Sequence, residues 1–396
     1  MNSFKRNVPL LAVSQALMMS SMSLIITTVA LVGSNIATDK SLATLPLAVL
    51  FIAVMLTSIP AALLMKRIGR KPAFMLATFS GASGGVLATY SIINNNFWLF
   101  VVSAALVGIF NGFGNYFRFA AADVADKDQK SKAISYVMLG GVAAAIIGPN
   151  LANYTHDSLA NTAYAGSYAS IIVIYILILF TLSFLKLPNT ASSIKEEAET
   201  EIRPLSIIAR QPKLIVGLIC GMFGYGVMSF VMTATPLAMH HHAHSFSDTS
   251  FVIQWHTLGM FAPSFFTGYL IKRFGIYNIL LIGALLGVGC VAINLLGTSV
   301  SHYWTALVFL GISWNFLFIG GTTLITETYH SNERSKTQAL NDFAVFSTVA
   351  ISSLSAGALQ HKFGWQIVNI GVIPLLIIIL ISIIWAKLKL KQSDST

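Results

Sequence analysis

Three groups of side chains in this sequence have types and spacings that can do chemistry. The densest is His240-His241-His242-Ala243-His244, four imidazoles in five residues. Imidazole nitrogen is a good ligand for zinc, nickel or copper. Read blandly, the tract is a solvated loop that gains charge in acidic surroundings; only Asp248 is near, and no cysteine or carboxylate cluster completes a ligand set. The second group is Asn111, Asn115 and Arg118, spaced i, i+4 and i+7 and so on one helical face. Two amides leading to a guanidinium can grip a carboxylate or another planar anion through paired hydrogen bonds. An arginine near a helix end can equally snorkel outward to the headgroups. The third group comprises protonatable residues in apolar surroundings, Asp123, His256 and Asp342. His256, beside Gln254 and Trp255, either relays protons or ties helices together. Neither a P-loop nor a His-Glu-x-x-His sequence is present, which leaves nucleotide-driven pumping and metalloprotease chemistry unsupported. No enzyme activity and no cofactor are expected.

These residues belong to a chain of 396 residues that is 55% hydrophobic and only 10% charged, with a mean hydropathy of +0.75. Soluble domains carry about 25% charged residues, so a water-facing surface cannot be built. The formal charge of +10 therefore does not describe a nucleic-acid binder. Cys220 and Cys290 both lie inside apolar runs, which implies no disulfide framework. A bilayer core needs about 20 mostly apolar residues per helix. That template fits twelve times, near 8–33, 42–65, 73–93, 97–122, 133–153, 167–186, 213–237, 249–271, 277–298, 304–328, 338–359 and 366–386. The runs are continuous, without the alternation of a membrane barrel. The first segment is too long for a cleaved signal core, so it is expected to remain as a helix. The expected class is an all-α membrane protein.

Lysine and arginine placement sets the orientation. With the N-terminus inside, Lys5, Arg6, the Lys66-Arg67-Ile68-Gly69-Arg70-Lys71 loop, Lys127, Lys130 and Lys132 face the cytoplasm. So do Lys195, Arg203, Arg210, Lys272, Arg273, Arg334, Lys336, Lys387, Lys389 and Lys391, whereas Lys40 and Lys362 face outward. Both termini are expected to be cytoplasmic, in a bacterial inner membrane.

A polar stretch near 187–212, containing Glu196-Glu197-Ala198-Glu199 and Glu201, divides the chain into bundles at 1–186 and 213–396. The halves echo each other. Lys66-Arg67-Ile68-Gly69 recurs as Lys272-Arg273-Phe274-Gly275, 206 positions on, and Asp123 with Lys130-Ser131-Lys132 recurs as Glu327 with Arg334-Ser335-Lys336, 204 positions on. Duplicated six-helix halves make a transporter architecture.

On these features the chain resembles the major facilitator superfamily along essentially its whole length. The family's loop signature reads here Ala62-Leu63-Leu64-Met65-Lys66-Arg67-Ile68-Gly69-Arg70-Lys71, matching at Gly69, Arg70 and Lys71 and departing at Ala62 and at Lys66, where an aspartate is usual. The second copy, Gly268 to Gly275, keeps both glycines and has Ile276 where the later arginine would stand. The resemblance implies twelve helices in two pseudo-symmetric halves with a small-molecule substrate held between them. It also implies a cytoplasmic gate in which Arg70 pairs with Asp123 and Arg273 with Glu327. Lys66 would then face Asp342 in a charge-swapped version of a third contact. Otherwise these charges are solvated and only fix topology.

In the family, spans one, four, seven and ten line the cavity. The implied substrate-facing residues are Gln15, Asn111, Asn115, Arg118, Tyr225, Trp314 and Asn315, with Met18, Met19, Met22, Ser229, Met232, Phe318 and Thr322 as weaker candidates that also suit plain packing. The family's mid-membrane arginine on span four falls at Phe110, so its proton-relay role does not carry over. Gly140-Gly141 and Gly148-Pro149-Asn150-Leu151-Ala152 resemble the antiporter signature of drug–proton exchangers in part, with Ala152-Asn153 where glycines are expected. The leading expectation is a monomeric, proton-coupled exporter of amphipathic organic compounds, with lipid and protons as its other partners and no nucleic acid. The alternatives are uptake of an anionic metabolite or siderophore, transition-metal transport through the histidine tract, and a membrane-embedded enzyme.

Overall fold

Hydrocarbon offers a backbone no water to bond, so every N–H and C=O must be satisfied within the segment. The described residues accordingly form helices and no strand. The computed structural model describes residues 3–125, 133, 136–159, 162–187, 203–330 and 333–393. Lys127, Lys130, Ser131, Lys132, Lys195 and the Glu196–Glu201 run lie outside these residues, as do the side chains of Arg334, Ser335, Lys336 and Lys391.

The chain packs as two compact units. One comprises Met1–Lys195 and Ser245–Gln254; the other comprises Glu196–His244 and Trp255–Thr396. The short segment Ser245–Gln254 thus packs with the first unit, a grouping the expected boundary at 213 does not anticipate.

In the first unit the helices are α1 (Ser3–Ile36), α2 (Leu45–Ile68), α3 (Arg70–Ile93), α4 (Phe97–Gly114), α5 (Phe117–Asp123), α6 (Gly140–Thr155) and α7 (Ala165–Ser183). Helix α1 packs on α6 and α7, and α3 packs on α4 and α7. The few polar groups at depth bond across helices: the Thr28 hydroxyl meets the Tyr168 hydroxyl at 3.4 Å and Ser21 meets Tyr175 at 3.5 Å. Both tyrosine rings also pack edge-on against α4, Tyr168 on Phe100 and Tyr175 on Phe110. On α2, Leu56, Ile59 and Leu63 form an exposed apolar stripe at helical spacing, which suits contact with lipid rather than water.

The second unit contains the single turn α8 (Leu205–Ile208), then α9 (Pro212–His241), the part of α10 (Phe246–Phe261) from Trp255 on, α11 (Ser264–Phe274), α12 (Ile276–Leu296), α13 (Val300–Thr326), α14 (Arg334–Gly371) and α15 (Ile373–Ser393). Helix α9 packs on α13, α14 and α15, and α12 packs on α13. Buried amides fasten it: Asn294 Nδ2 donates to Asn369 Oδ1 at 2.8 Å, and the hydroxyls of Ser229 and Ser353 lie 2.8 Å apart.

Among the described residues ten helices are long and apolar enough to cross a membrane. The difference from the expected twelve arises in two places. Proline has no N–H, and Pro263 separates α10 from α11, so neither 16 nor 11 residues is a full crossing by itself. At the other place, Leu340–Lys389 counts as one run of 50 residues. At 1.5 Å per residue such a run is roughly 75 Å long, more than twice the hydrocarbon thickness. Gly364, at φ 75° and ψ −176°, turns the chain inside it.

The internal repeat is visible in the backbone. Gly69 joins α2 to α3 at φ 90° and ψ 160°, and Gly275 joins α11 to α12 at φ 82° and ψ 145°. Each glycine N–H bonds back to the preceding helix, Gly69 to Met65 O at 3.0 Å and Gly275 to Ile271 O at 2.9 Å. A side chain at that φ is strained, so glycine is the residue that lets one helix stop and the next start without a loop.

Candidate functional site

Both glycine turns have charged residues beside them, but the charges find different partners. Arg70, the first residue of α3, reaches Asp123 at the end of α5, with Nη2 2.6 Å from Oδ2. The anticipated counterpart, Arg273 with Glu327, is not formed. Glu327 instead takes Lys213 from the start of α9 at 2.7 Å, and Arg273 donates to the Tyr269 hydroxyl at 3.3 Å while lying over the Phe274 ring. The reason lies in the register. A shift of 206 carries Arg70 onto Ile276, an apolar residue, and carries Arg67 onto Arg273. Lys66 and Arg67 are exposed at the end of α2, in the first unit. Asp342 is exposed on α14, in the second, and its Oδ1 accepts from Asn341 Nδ2 at 3.1 Å.

A stronger ionic contact was not anticipated at all. Glu333, with no exposed surface, accepts from the Arg203 backbone N–H (2.9 Å), from Arg203 Nε (2.8 Å) and from Nη2 (2.6 Å). Arg203 Nη2 and Gln211 Nε2 also share the Thr328 carbonyl, at 3.0 and 2.9 Å. The Arg203 hydrogen bonds hold the Glu333 carboxyl well below the usual carboxylate range, and Glu333 in turn raises the guanidinium. This ties the chain after the central polar stretch to the α13–α14 connection. Nothing periodic marks Glu333; the adjacent Arg203-Pro204 pair, closing a polar stretch, was the available signal.

The proposed anion stripe on span four is not one continuous face. The helix is interrupted at Asn115 and Tyr116: the helix that carries Asn111 in its last turn ends at Gly114, and the one that carries Arg118 starts at Phe117. The buried Asn111 amide donates to Val107 O of its own helix at 2.9 Å, Asn115 is half-buried, and the exposed Arg118 guanidinium lies 4.9 Å from the Phe119 ring. Gln15 is buried on α1, with Met18 beside Gly114.

Asn315 is also redirected. Its Nδ2 donates to Met260 O (2.7 Å) and Ser264 Oγ (2.6 Å), and its Oδ1 accepts from Thr267 (2.7 Å). These bonds satisfy the backbone and hydroxyls around the Pro263 break, structural work that engages both amide atoms. The residue before it behaves differently. Trp314 stacks on Phe318, with ring centroids 4.9 Å apart and planes 9° from parallel. Tyr225 of α9 meets both rings edge-on, at 5.3 and 5.8 Å, and Phe261 meets Trp314 at 6.0 Å. The Trp314 side chain is 7% exposed, yet its Nε1 has no hydrogen-bond partner. Tyr225, Phe261 and Phe318 are half-buried. An aromatic wall with one unspent N–H donor is chemically suited to a flat, conjugated, carbonyl-bearing ligand.

The histidine tract does not converge. His240 and His241 belong to the last turn of α9, where successive side chains are fanned by about 100°. Beyond them, His242 Nδ1 lies 2.9 Å from the Tyr303 hydroxyl, and His244 Nε2 lies 2.6 Å from Thr298 O. Burial, against a bond to Ala238 and with His241 and His244 near, pushes the His242 imidazole below its usual range. Among the described residues no group of three or more His, Cys, Asp or Glu side chains is placed to hold a metal ion. His256 is buried on α10, its Nδ1 2.8 Å from Leu307 O. That bond requires a close helix approach, provided where Gly311 lies against the His256 carbonyl. Because a carbonyl only accepts, the proton sits on Nδ1, and the Nε2 lone pair has no partner.

The sequence profile of the Major Facilitator Superfamily matches residues 11–341 and 218–395. The riboflavin transporter RfnT of Brucella anthropi is 41% identical over 380 residues, covering 96% of this chain and 95% of its own length. Two MFS-type transporters of Bacillus subtilis described as uncharacterized, YddS and YdeG, are each 26% identical, covering 96% and 90% of this chain and 91% and 85% of their own. With its paired glycine turns, its all-helical units and these matches across nearly the whole sequence, this chain belongs to the Major Facilitator Superfamily.

Proposed function

We propose that this transporter is an uptake permease for riboflavin or a close flavin, working by alternating access as a monomer in the cell membrane with both termini cytoplasmic. The observation that carries the proposal is the 41% identity to a riboflavin transporter along almost the full length of both chains. The aromatic set of Tyr225, Phe261, Trp314 and Phe318 supports it. An isoalloxazine is a flat tricycle with carbonyl acceptors, so it can stack on the indole or phenyl rings while the Trp314 N–H donates to an oxygen or ring nitrogen. Riboflavin carries no carboxylate, so it asks nothing of Arg118, whose guanidinium is exposed over Phe119. A bulky polyol crosses hydrocarbon poorly, which is why uptake needs a permease.

Saturable uptake of labelled riboflavin into vesicles holding the purified protein tests this directly. Trp314→Ala is expected to weaken binding about tenfold, and Trp314→Phe, which keeps the ring but loses the donor, about fivefold, matching roughly 1.4 and 1 kcal/mol. Uptake no faster than in empty vesicles would remove the flavin reading. The alternative is then proton-coupled export of amphipathic compounds, which the Gly148-Pro149-Asn150 run on α6 favours. Inverted vesicles under an imposed pH gradient decide its direction.

In either direction His256 is the coupling residue we favour over Asp123 and Asp342, because its Nε2 is buried without a partner while both acids already hold a neighbour. His256→Gln should leave flavin binding within about twofold and abolish the response of uptake to a pH gradient. An unchanged response would exclude His256.

A further inference from the structure

Where α1 and α3 begin and α7 ends, the first unit has an open pocket of about 630 Å³. Among the described residues four cations line it, Lys5, Arg6, Lys71 and Lys186, and no carboxylate does. Asp123, at the end of α5, is engaged by Arg70. Four like charges around one hollow repel each other and lower the cost of bringing in an anion. The clearest sign of a missing partner is Arg6: its Nε is buried and has no hydrogen-bond partner. A buried charged donor left unbonded is costly.

The walls are fixed by other groups. Asn7, fully buried, donates to Lys186 O at 2.9 Å and accepts from Lys186 N at 3.1 Å, which pins the end of α7 to α1. Lys71 Nζ donates to Ser183 O at 2.6 Å. The backbone at Lys186 is thereby held while its ammonium stays exposed. The remaining surface is apolar, from Pro9, Leu10 and the exposed ring of Phe184.

We propose that this pocket binds a phosphate group, with Arg6 as the principal donor and Lys5, Lys71 and Lys186 supplying charge. A guanidinium fork and ammonium donors match phosphate oxygens. Basic pockets between helices on the cytoplasmic side, the side that the lysine and arginine distribution assigns to these ends, suit anionic headgroups. The apolar rim favours the headgroup of an anionic phospholipid, its chain running past Leu10 and Phe184, over a soluble phosphate compound. The site is separate from the aromatic wall and does not depend on the transported substrate.

Native mass spectrometry of the full-length protein, stripped of lipid and reloaded with phosphatidylglycerol or phosphatidylcholine, separates the outcomes. One phosphatidylglycerol should be retained about tenfold better than phosphatidylcholine, and the double variant Arg6→Gln/Lys186→Gln should lose that preference. In the wild type, added salt should strip the bound lipid progressively, a readout that needs no variant. In a parallel arm, millimolar inorganic phosphate is titrated against thermal unfolding of lipid-free protein. If phosphate stabilises the wild type but not Arg6→Lys or the double variant, and the two lipids are held alike, the same pocket serves a soluble phosphate. Equal retention of both lipids with no phosphate effect, or a double variant that binds as the wild type does, overturns the proposal.

Discussion

The two glycine turns share one backbone solution and differ in their electrostatics. After Gly69 the chain starts α3 with an arginine, and that arginine meets the acid at the end of α5. After Gly275 the chain starts α12 with isoleucine, and the corresponding acid, Glu327, recruits a lysine from α9. A duplicated fold can thus keep a conformational device in both copies while moving a charge pair from one helix to another. Conformation is hard to relocate because only glycine tolerates the turn, whereas a long cationic side chain on any neighbouring helix can serve an acid.

The largest effects should come from the shared part. Gly69→Ala and Gly275→Ala force a Cβ into a conformation that costs about 1–3 kcal/mol. Both should lower the unfolding temperature of the purified protein by similar amounts; a loss at one turn only would break the likeness between them. Next comes Glu333, which among the described residues has no counterpart in the first unit. Its carboxyl is held below the ordinary range, so its contribution is fully present above that range, near 4.3 for a free glutamate, and is lost as pH falls through and below it. An acid-side fall in unfolding temperature that Glu333→Gln removes would establish this, and an unchanged acid limb would refute it. The smallest effects separate the two charge pairs. A double-mutant cycle of Arg70→Gln with Asp123→Asn, on side chains 20% and 35% exposed, should give a coupling of about 1 kcal/mol. The cycle of Lys213→Gln with Glu327→Gln, 40% and 45% exposed, should give ~0.3 kcal/mol. Equal couplings would show that the relocation of the cation carries no energetic difference.

How far the molecule was legible beforehand follows from these cases. The helices could be read because hydrocarbon imposes a continuous apolar length, and the repeat because Gly69 and Gly275 are forced by φ. The pairing of Arg70 with Asp123 came through a family pattern whose residues are present here. The expected Arg273–Glu327 contact failed because a four-residue echo aligned Arg273 with Arg67 rather than with Arg70. For Asn315 the family pattern names a cavity-lining span, but says nothing of Pro263 on another helix or of the groups around it that take up the amide. Trp314, its neighbour, was read from type alone, and its stacking on Phe318 at i+4 was in principle visible in the spacing. The imidazole tract shows the limit of composition: four good ligands on a helix end and the turn after it do not make a coordination sphere.

The bonds at Asn7 and at Arg203 have a mechanical consequence. Lys186 is knotted to α1 by a reciprocal amide bond, and Arg203 is knotted to the buried Glu333. The strand of polypeptide joining the bundles therefore leaves and re-enters at two cleats. Each bundle thus secures its own end of the chain, and a tug on either end is borne by these bonds before it reaches a helix.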